Sequence, residues 1–287
     1  MMTKTDIFKG IVLFYIFAFP LFLSADEKTG LASGVDLIEI LQLKGELTQG
    51  SAVIGRVPGK GRLWLNDQPI SLTPEGDFFI GFGRDADLQQ LLTLKHSGSA
   101  LLQQTLTLIK REYRLQQVNG VPQKTVTPKP ESLARIREEN ALIAKARSVN
   151  SDYQFFLEKF VAPMDAAISG VYGSQRIFNG IPKRPHFGVD YAGPVGAPVY
   201  APASGKVTLR HKDMFYSGGT LIIDHGYGVS SSFLHLSEIL VEQGQVVKQG
   251  DLIAKVGKGG RASGPHLDWR INWFEVRIDP LKVLQIK

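Results

Sequence analysis

Residues 263–273, Ser-Gly-Pro-His-Leu-Asp-Trp-Arg-Ile-Asn-Trp, restrict the possible folds of this chain more than any other stretch. From His266 onward the residues alternate strictly, with His266, Asp268, Arg270 and Asn272 on one side and Leu267, Trp269, Ile271 and Trp273 on the other. That is the period of a β-strand, expected to bury its apolar face and turn the polar one into a cleft. Solvated strand faces more often carry Lys, Thr, Glu and Ser than His and Asp two residues apart. A second segment, Arg184-Pro185-His186-Phe187-Gly188-Val189-Asp190, carries Pro185 and Gly188, which argue against a helix. His186 and Asp190, at an even separation, can then share one side of an extended chain. Each pair alone reads most simply as a surface pair or a satisfied hydrogen bond. Jointly, two His and two Asp from two strands suffice for a metal site with catalytic histidines beside it.

With 287 residues, 43% hydrophobic and 21% charged, the chain suits one large or two ordinary folded domains rather than a disordered polymer. Lys4 and Lys9 precede an uncharged apolar run over residues 11–23, and Leu23-Ser24-Ala25 ends in small residues before Asp26-Glu27. This reads as a secretory signal peptide over residues 1–25. The apolar run is shorter than the ~20 residues of a spanning helix. An uncleaved anchor is therefore the second choice, and the mature chain is expected to hold no transmembrane segment. The absence of cysteine excludes a lipoprotein signal, disulfides and thiolate ligands, so His and carboxylate must hold any metal. The chain carries a formal +6, which removal of Lys4, Asp6 and Lys9 lowers by one. A secreted basic protein suits an anionic envelope polymer. Without a basic cluster interleaved with aromatics, no nucleic acid is expected as a partner.

Between residues 41 and 115 lie short apolar runs such as Ala52-Val53-Ile54, Phe78-Phe79-Ile80 and Leu91-Leu92-Thr93-Leu94. Turn chemistry separates them, at Pro58-Gly59-Lys60-Gly61, Asn66-Asp67-Gln68-Pro69 and Pro74-Glu75-Gly76-Asp77. The expectation is a mostly β protein with an N-terminal immunoglobulin-like β-sandwich over residues 26–120. His96, the sandwich's histidine, reads as a loop residue. A Pro-rich linker and a helix over 131–148 follow, within residues 121–160, the helix reading as a connector with a lid over the cleft as the minor alternative. Residues 161–287 turn to Gly- and Pro-punctuated β, with hairpins that predict a twisted antiparallel sheet. Gly257-Lys258-Gly259-Gly260 reads as a plain turn, because it lacks the spacing of a phosphate loop. Ser230-Ser231-Ser232 lies inside a strand pattern without a nucleophile elbow. His225, between a strand and Gly226, reads as structural, and His211 as exposed.

His186-Phe-Gly-Val-Asp190, Tyr200-Ala-Pro-Ala-Ser-Gly205, Asp224-His225-Gly226, His235-Leu-Ser237, Val246-Val-Lys-Gln-Gly250 and Gly264-Pro-His266 occur in this order. In these motifs the chain, over about residues 165–284, resembles the lysostaphin-type (LytM-like) zinc endopeptidases of the bacterial cell wall. The resemblance implies a β-rich peptidase domain with zinc in a groove, cutting peptide cross-links of peptidoglycan. Carried over by motif, His186 and Asp190 are zinc ligands, and His235 and His266 are catalytic histidines beside the metal. The family closes its site with His-x-His, whose second histidine binds zinc. In this chain that position is Asp268.

Asp is a competent zinc ligand, and the strand alternation aims Asp268 the same way as His266. Two carboxylates and one imidazole around Zn²⁺ leave the centre formally less positive than two imidazoles and one carboxylate. A weaker Lewis acid and attenuated activity are expected from that difference. Arg270, on the same face, is a candidate for a substrate carboxylate or for a salt bridge at the cleft edge. Two readings of a different kind compete with a peptidoglycan endopeptidase of the periplasm. One is a catalytically silent wall-binding or regulatory protein that activates other wall hydrolases. The other is a general secreted metalloprotease, which a deep apolar pocket would favour over a long groove. Periplasmic residence is preferred over full export because no wall-sorting tail follows the peptidase domain. Oligomeric state has no signal in the sequence.

Overall fold

A computed structural model describes residues 36–96 and 101–287, so the segment expected to be a signal peptide lies outside the described residues. Among the described residues no helix is long and apolar enough to cross a membrane. The protein is mostly β, as expected.

Two antiparallel sheets make the N-terminal part. One holds strands Lys44–Gly45, Ala52–Arg56 and Asp77–Gly81, and the other runs Gln68–Ile70, Gly61–Leu65, Gln89–His96 and Leu101–Thr107. Val53, Phe78 and Ile80 of the first sheet pack with Leu63, Leu92, Leu94 and Leu106 of the second, all fully buried. Asn66 and Asp67, at φ of 49° and 65°, make the two-residue turn joining Gly61–Leu65 to Gln68–Ile70. Positive φ at both centres is what a tight hairpin needs and what Asn and Asp tolerate. His96, expected in a loop, is instead the last residue of its strand, opposite Gly61.

The C-terminal part is built on a ten-stranded sheet. Its path runs Val246–Val247, Gly205–Met214, Gly218–Gly226, Val229–Ile239, His266–Trp273, Val189–Ala192 and Ile168–Gly170. Every neighbouring pair on this path is antiparallel. Leu267, Trp269 and Ile271 enter one core with Val189, Leu221, Ile223 and Phe233. The alternation of residues 266–273 therefore does select the buried face.

The two parts share this core. Phe79 of the N-terminal sheet lies edge-on to Phe156, ring centroids 6.3 Å apart at 88°, and belongs to the C-terminal cluster. Asp279 accepts from Arg111 Nη2 at 2.9 Å and donates its own N–H to Gly50 O. Strand Leu115–Val118 pairs in parallel with Gln175–Phe178, beside the candidate site. The Pro-punctuated stretch after it is packed against the domain, with Val121 and Val126 against Phe178. The expected helix is a short 3-10 turn followed by Leu133–Arg147. Ala146 and Ile143 anchor it on Leu209, Met214 and Ile222.

Candidate metal centre

The ladder between Val189–Ala192 and His266–Trp273 sets the site. Its register puts Asp190 directly opposite Asp268 and Ala192 opposite His266. Two carboxylates facing each other across a ladder repel unless a cation stands between or beside them. His186 lies just before the first strand, tied down by its N–H to Ser174 O at 2.9 Å and by its carbonyl, which accepts from Gly173 N at 2.7 Å. His186, Asp190 and Asp268 are all buried, and one ligating atom from each lies within 4.8 Å of the others.

His186 Nε2 stands 3.1 Å from Asp190 Oδ1, and His186 Nδ1 stands 4.0 Å from Asp268 Oδ2. Both ring nitrogens and Asp190 Oδ1 nevertheless lack a well-aligned hydrogen bond despite this close approach. Buried polar atoms without partners are costly, and a coordinated cation is one way to satisfy them. Nitrogen and carboxylate oxygen are zinc-type donors, and the three residues fit such an ion.

Guanidiniums back both carboxylates. Arg176 Nη2 donates to Asp190 Oδ2. Arg270 makes a fork on Asp268, with Nε to Oδ1 at 2.9 Å and Nη2 to Oδ2 at 2.5 Å. Burial works against ionisation of both acids. Arg270 and His186 nonetheless hold Asp268 well below the usual carboxylate range, and His186 and Arg176 do the same for Asp190. Arg270 is thus a salt-bridge residue, the second of the two roles the sequence leaves open. Gly188 makes room for this pair, since a Cβ there would meet Asp268 Oδ1 at 2.5 Å and Arg270 Cγ at 2.7 Å.

His235 and His266 stand side by side, ring centroids 4.7 Å apart. His235 Nδ1 donates to Gly259 O at 2.8 Å and His266 Nδ1 to Gly264 O at 2.9 Å. A carbonyl can only accept, so in each neutral ring Nδ1 carries the proton and Nε2 keeps its lone pair. His266 Nε2 is 3.8 Å from Asp190 Oδ1. Burial, then the neighbouring His266, pushes His235 down to about 4, which keeps it neutral at physiological pH. Its φ of 64° is a left-handed conformation that costs a histidine roughly 1 kcal/mol and that often marks functional positions. Ser217 O fixes it by accepting from His235 N at 2.7 Å.

The structure thus brings together all five residues singled out by motif. His225 stays apart as a buried structural residue, its Nδ1 donating to Ser204 O and its Nε2 accepting from Ser231 Oγ. His211, expected to be exposed, is half-buried. Sequence reasoning missed Arg176, because its partner Asp190 is fourteen positions away with no local pattern between them. It also missed the role of Gly259, whose carbonyl orients His235 from within what reads as a plain turn. A cavity of about 500 Å³ opens on His186, His235 and Asp268, and one of about 250 Å³ opens on Asp190 and His266. Arg176, Phe178 and Arg261 line both, so the two cavities adjoin at the site.

Residues 184–280 match the sequence profile of peptidase family M23. Over 98 residues the chain is 43% identical to the peptidoglycan DD-endopeptidase ShyB of Vibrio cholerae, covering 34% of this chain and 23% of that protein. Over 87 residues it is 41% identical to ShyA of the same organism, covering 30% and 20%. The chain therefore spans less than a quarter of these two relatives. A crystal structure described as an M23 peptidase from Pseudomonas aeruginosa superposes with a TM-score of 0.67 at 27% identity, covering 86% of this chain and 99% of that one. That share reaches well past the matched domain into the N-terminal sheets. Residues 184–280 are accordingly a peptidase family M23 domain, with Asp268 where the closing motif His-x-His would have its second histidine.

Proposed function

We propose that the chain is a secreted zinc metalloendopeptidase that hydrolyses peptide cross-links of peptidoglycan, with the periplasm as its compartment. The observation that carries this reading is the set of buried donor atoms without partners, His186 Nδ1 and Nε2 and Asp190 Oδ1, grouped with Asp268. His186, Asp190 and Asp268 would hold the metal. Bound there, Zn²⁺ would bring the pKa of a water toward ~7 and polarise the scissile carbonyl.

His235 and His266 are the proton-transfer residues on this reading. Each presents an unprotonated Nε2 while a backbone carbonyl fixes its Nδ1 proton. One Nε2 takes the proton of the attacking water and delivers it to the leaving amine nitrogen. At His235, Asp268 and Asp190 favour the imidazolium that would form in between. The adjoining cavities at the site are consistent with an extended peptide on this reading. The N-terminal sandwich, which packs on the C-terminal part through Phe79 and the Arg111–Asp279 pair, would position the domain on its polymer.

The expected attenuation rests on ligand charge alone. Arg176 and Arg270 add two positive charges around the centre, which offsets the loss of one imidazole. The same Arg270 fork favours the second reading, a catalytically silent wall-binding or regulatory protein, because it engages both oxygens of Asp268.

The deciding experiment measures zinc in the purified chain from residue 26 to 287 and in an Asp268→Ala variant, with digestion of purified peptidoglycan scored in parallel. The metallopeptidase reading expects near-stoichiometric zinc that the variant loses, together with released cross-link peptides. No zinc and no released peptides would leave the silent reading standing.

A further inference from the structure

Arg147 ends the connector helix, is 6% exposed and lines the larger cavity. Its Nη2 donates to Ser232 Oγ at 3.2 Å, and its Nε has no partner. Arg261 and Arg277 line the same cavity. Arg261 lies over the rings of Phe178 and Tyr216, 4.9 Å from each centroid, and Arg277 over Phe187 at 5.0 Å. Among the described residues, none of these three guanidiniums has a carboxylate oxygen within 4.0 Å. Arg176 and Arg270 line the cavity too, but Asp190 and Asp268 neutralise them. Glu275 lines the cavity as well and partly supports the charge on Arg147 and Arg277 without reaching ion-pair distance, so the wall still carries more positive charge than its carboxylates offset.

That surplus works against folding. Burial pushes Arg147 down to about 9, with Arg277 and Arg270 adding to the effect, and Arg261 and Arg277 are lowered for the same reasons. Arg147 is buried and Arg261 and Arg277 are half-buried, and cations so withdrawn from water without a carboxylate partner cost free energy that an anionic ligand returns. The guanidinium fork matches carboxylate oxygens two at a time. The three arginines come from three different elements: the helix end, the turn before His266–Trp273, and strand Val276–Ile278. Phe178, Phe187 and Leu234 line the same cavity. Spaced cations on a partly apolar wall suit an extended chain with several separate monoanions better than a single compact phosphate.

We propose that this cavity is an anion subsite in which Arg147, Arg261 and Arg277 hold free carboxylates of a peptide substrate whose scissile bond lies at His235 and Asp268. The substrate class is a peptide with several carboxylates on one side of the cleaved bond. The placement of that bond rests on the metallopeptidase reading; the carboxylate recognition does not.

Binding is therefore measured on the metal-stripped full mature chain, by calorimetry at fixed ionic strength. The probes are the tripeptide L-Ala-γ-D-Glu-diaminopimelate, its fully amidated analogue, and inorganic phosphate. The free-carboxylate peptide is expected to bind at least about tenfold more tightly than the amidated one. Arg147→Met should lower its affinity about tenfold and leave the amidated peptide unchanged, and Arg277→Gln should act in the same direction. Because Arg147→Met replaces an unpaired buried charge with an apolar chain of similar reach, its melting temperature should be equal or higher. Equal affinity for the two peptides, affinities unmoved in both variants, or phosphate binding as tight as the peptide would each overturn the proposal. A chain that discriminates the peptides but holds no zinc and cuts nothing would sink the metallopeptidase reading and leave the subsite intact.

Discussion

Asp190 and Asp268 stand directly opposite each other across an antiparallel ladder, both buried, each backed by its own arginine. The position trades one histidine for a carboxylate and adds a cation behind it. Removing that cation exposes the repulsion. Arg270→Gln in metal-free protein is expected to lose about 3–5 kcal/mol, the usual cost of breaking a buried ion pair. Saturating zinc should recover more stability in the variant than in the parent, because the ion then becomes the counter-charge for both acids. Thermal melts with chelator and with zinc measure this, and equal zinc-induced shifts would contradict it.

Asp268 and Arg270 act as one unit, so they should not be exchangeable singly. Asp268→His restores the closing motif of the family but strands Arg270, whose charge is sustained by Asp268 against burial. The single variant should be destabilised, and the double variant Asp268→His, Arg270→Gln should recover about 1–3 kcal/mol beyond additivity. A double-mutant cycle by denaturant titration reads this coupling directly. Additive effects would mean that the fork is dispensable.

Gly188 is needed for space rather than for an unusual φ. A methyl there would meet Asp268 Oδ1, Arg270 Cγ and Trp269 O, the last being backbone that cannot swing away. Gly188→Ala should cost about 1–3 kcal/mol by overpacking and weaken zinc binding at least several-fold. Gly264→Ala, where a Cβ meets nothing within 4 Å, is the matched control and should change neither. Melting temperature and a zinc-competition titration separate the two.

The five candidate residues were legible as a group because chemistry-bearing types fell at strand spacing beside Gly and Pro, and because the motifs kept their order. The facing of Asp190 and Asp268 was not legible, since register between strands 189–192 and 266–273 depends on pairing across more than seventy residues of chain. Arg147 was hidden for a different reason. At the end of a polar helix it reads as one more solvated charge, and only the docking of Ala146 and Ile143 on Leu209 and Met214 turns it inward. The residues after Val118 read as a linker because Pro and Lys dominate, yet Val121 and Val126 find Phe178.

His225 should make stability depend on pH well away from the site. Burial lowers it from an ordinary 6.5 to about 4 in the folded protein. Between those values the unfolded chain binds a proton that the folded chain refuses. Its contribution is therefore complete above pH 6.5 and is lost progressively as pH falls toward 4, by about 3 kcal/mol in all. His225→Gln removes the titration, so its melting temperature should fall less than the parent's between pH 7 and pH 4.5. Parallel slopes for the two proteins would rule His225 out as the cause.

Phe79 is, with Ala52, one of the N-terminal residues through which the two parts of the molecule share a core. It belongs to an N-terminal strand, is 1% exposed, and packs edge-on against Phe156 within the cluster that also holds Trp269. Around it, Arg111 bonds Asp279 and Lys282 bonds Glu46, so the interface is closed by polar pairs at its rim. If that core is continuous, neither part unfolds alone, and calorimetry of the mature chain should show one transition. Phe79→Ala should then cost about 3–5 kcal/mol and move that transition as a whole, without splitting it. Two peaks, with only the N-terminal one displaced, would mean that the sandwich and the peptidase domain fold as separate units despite their contact.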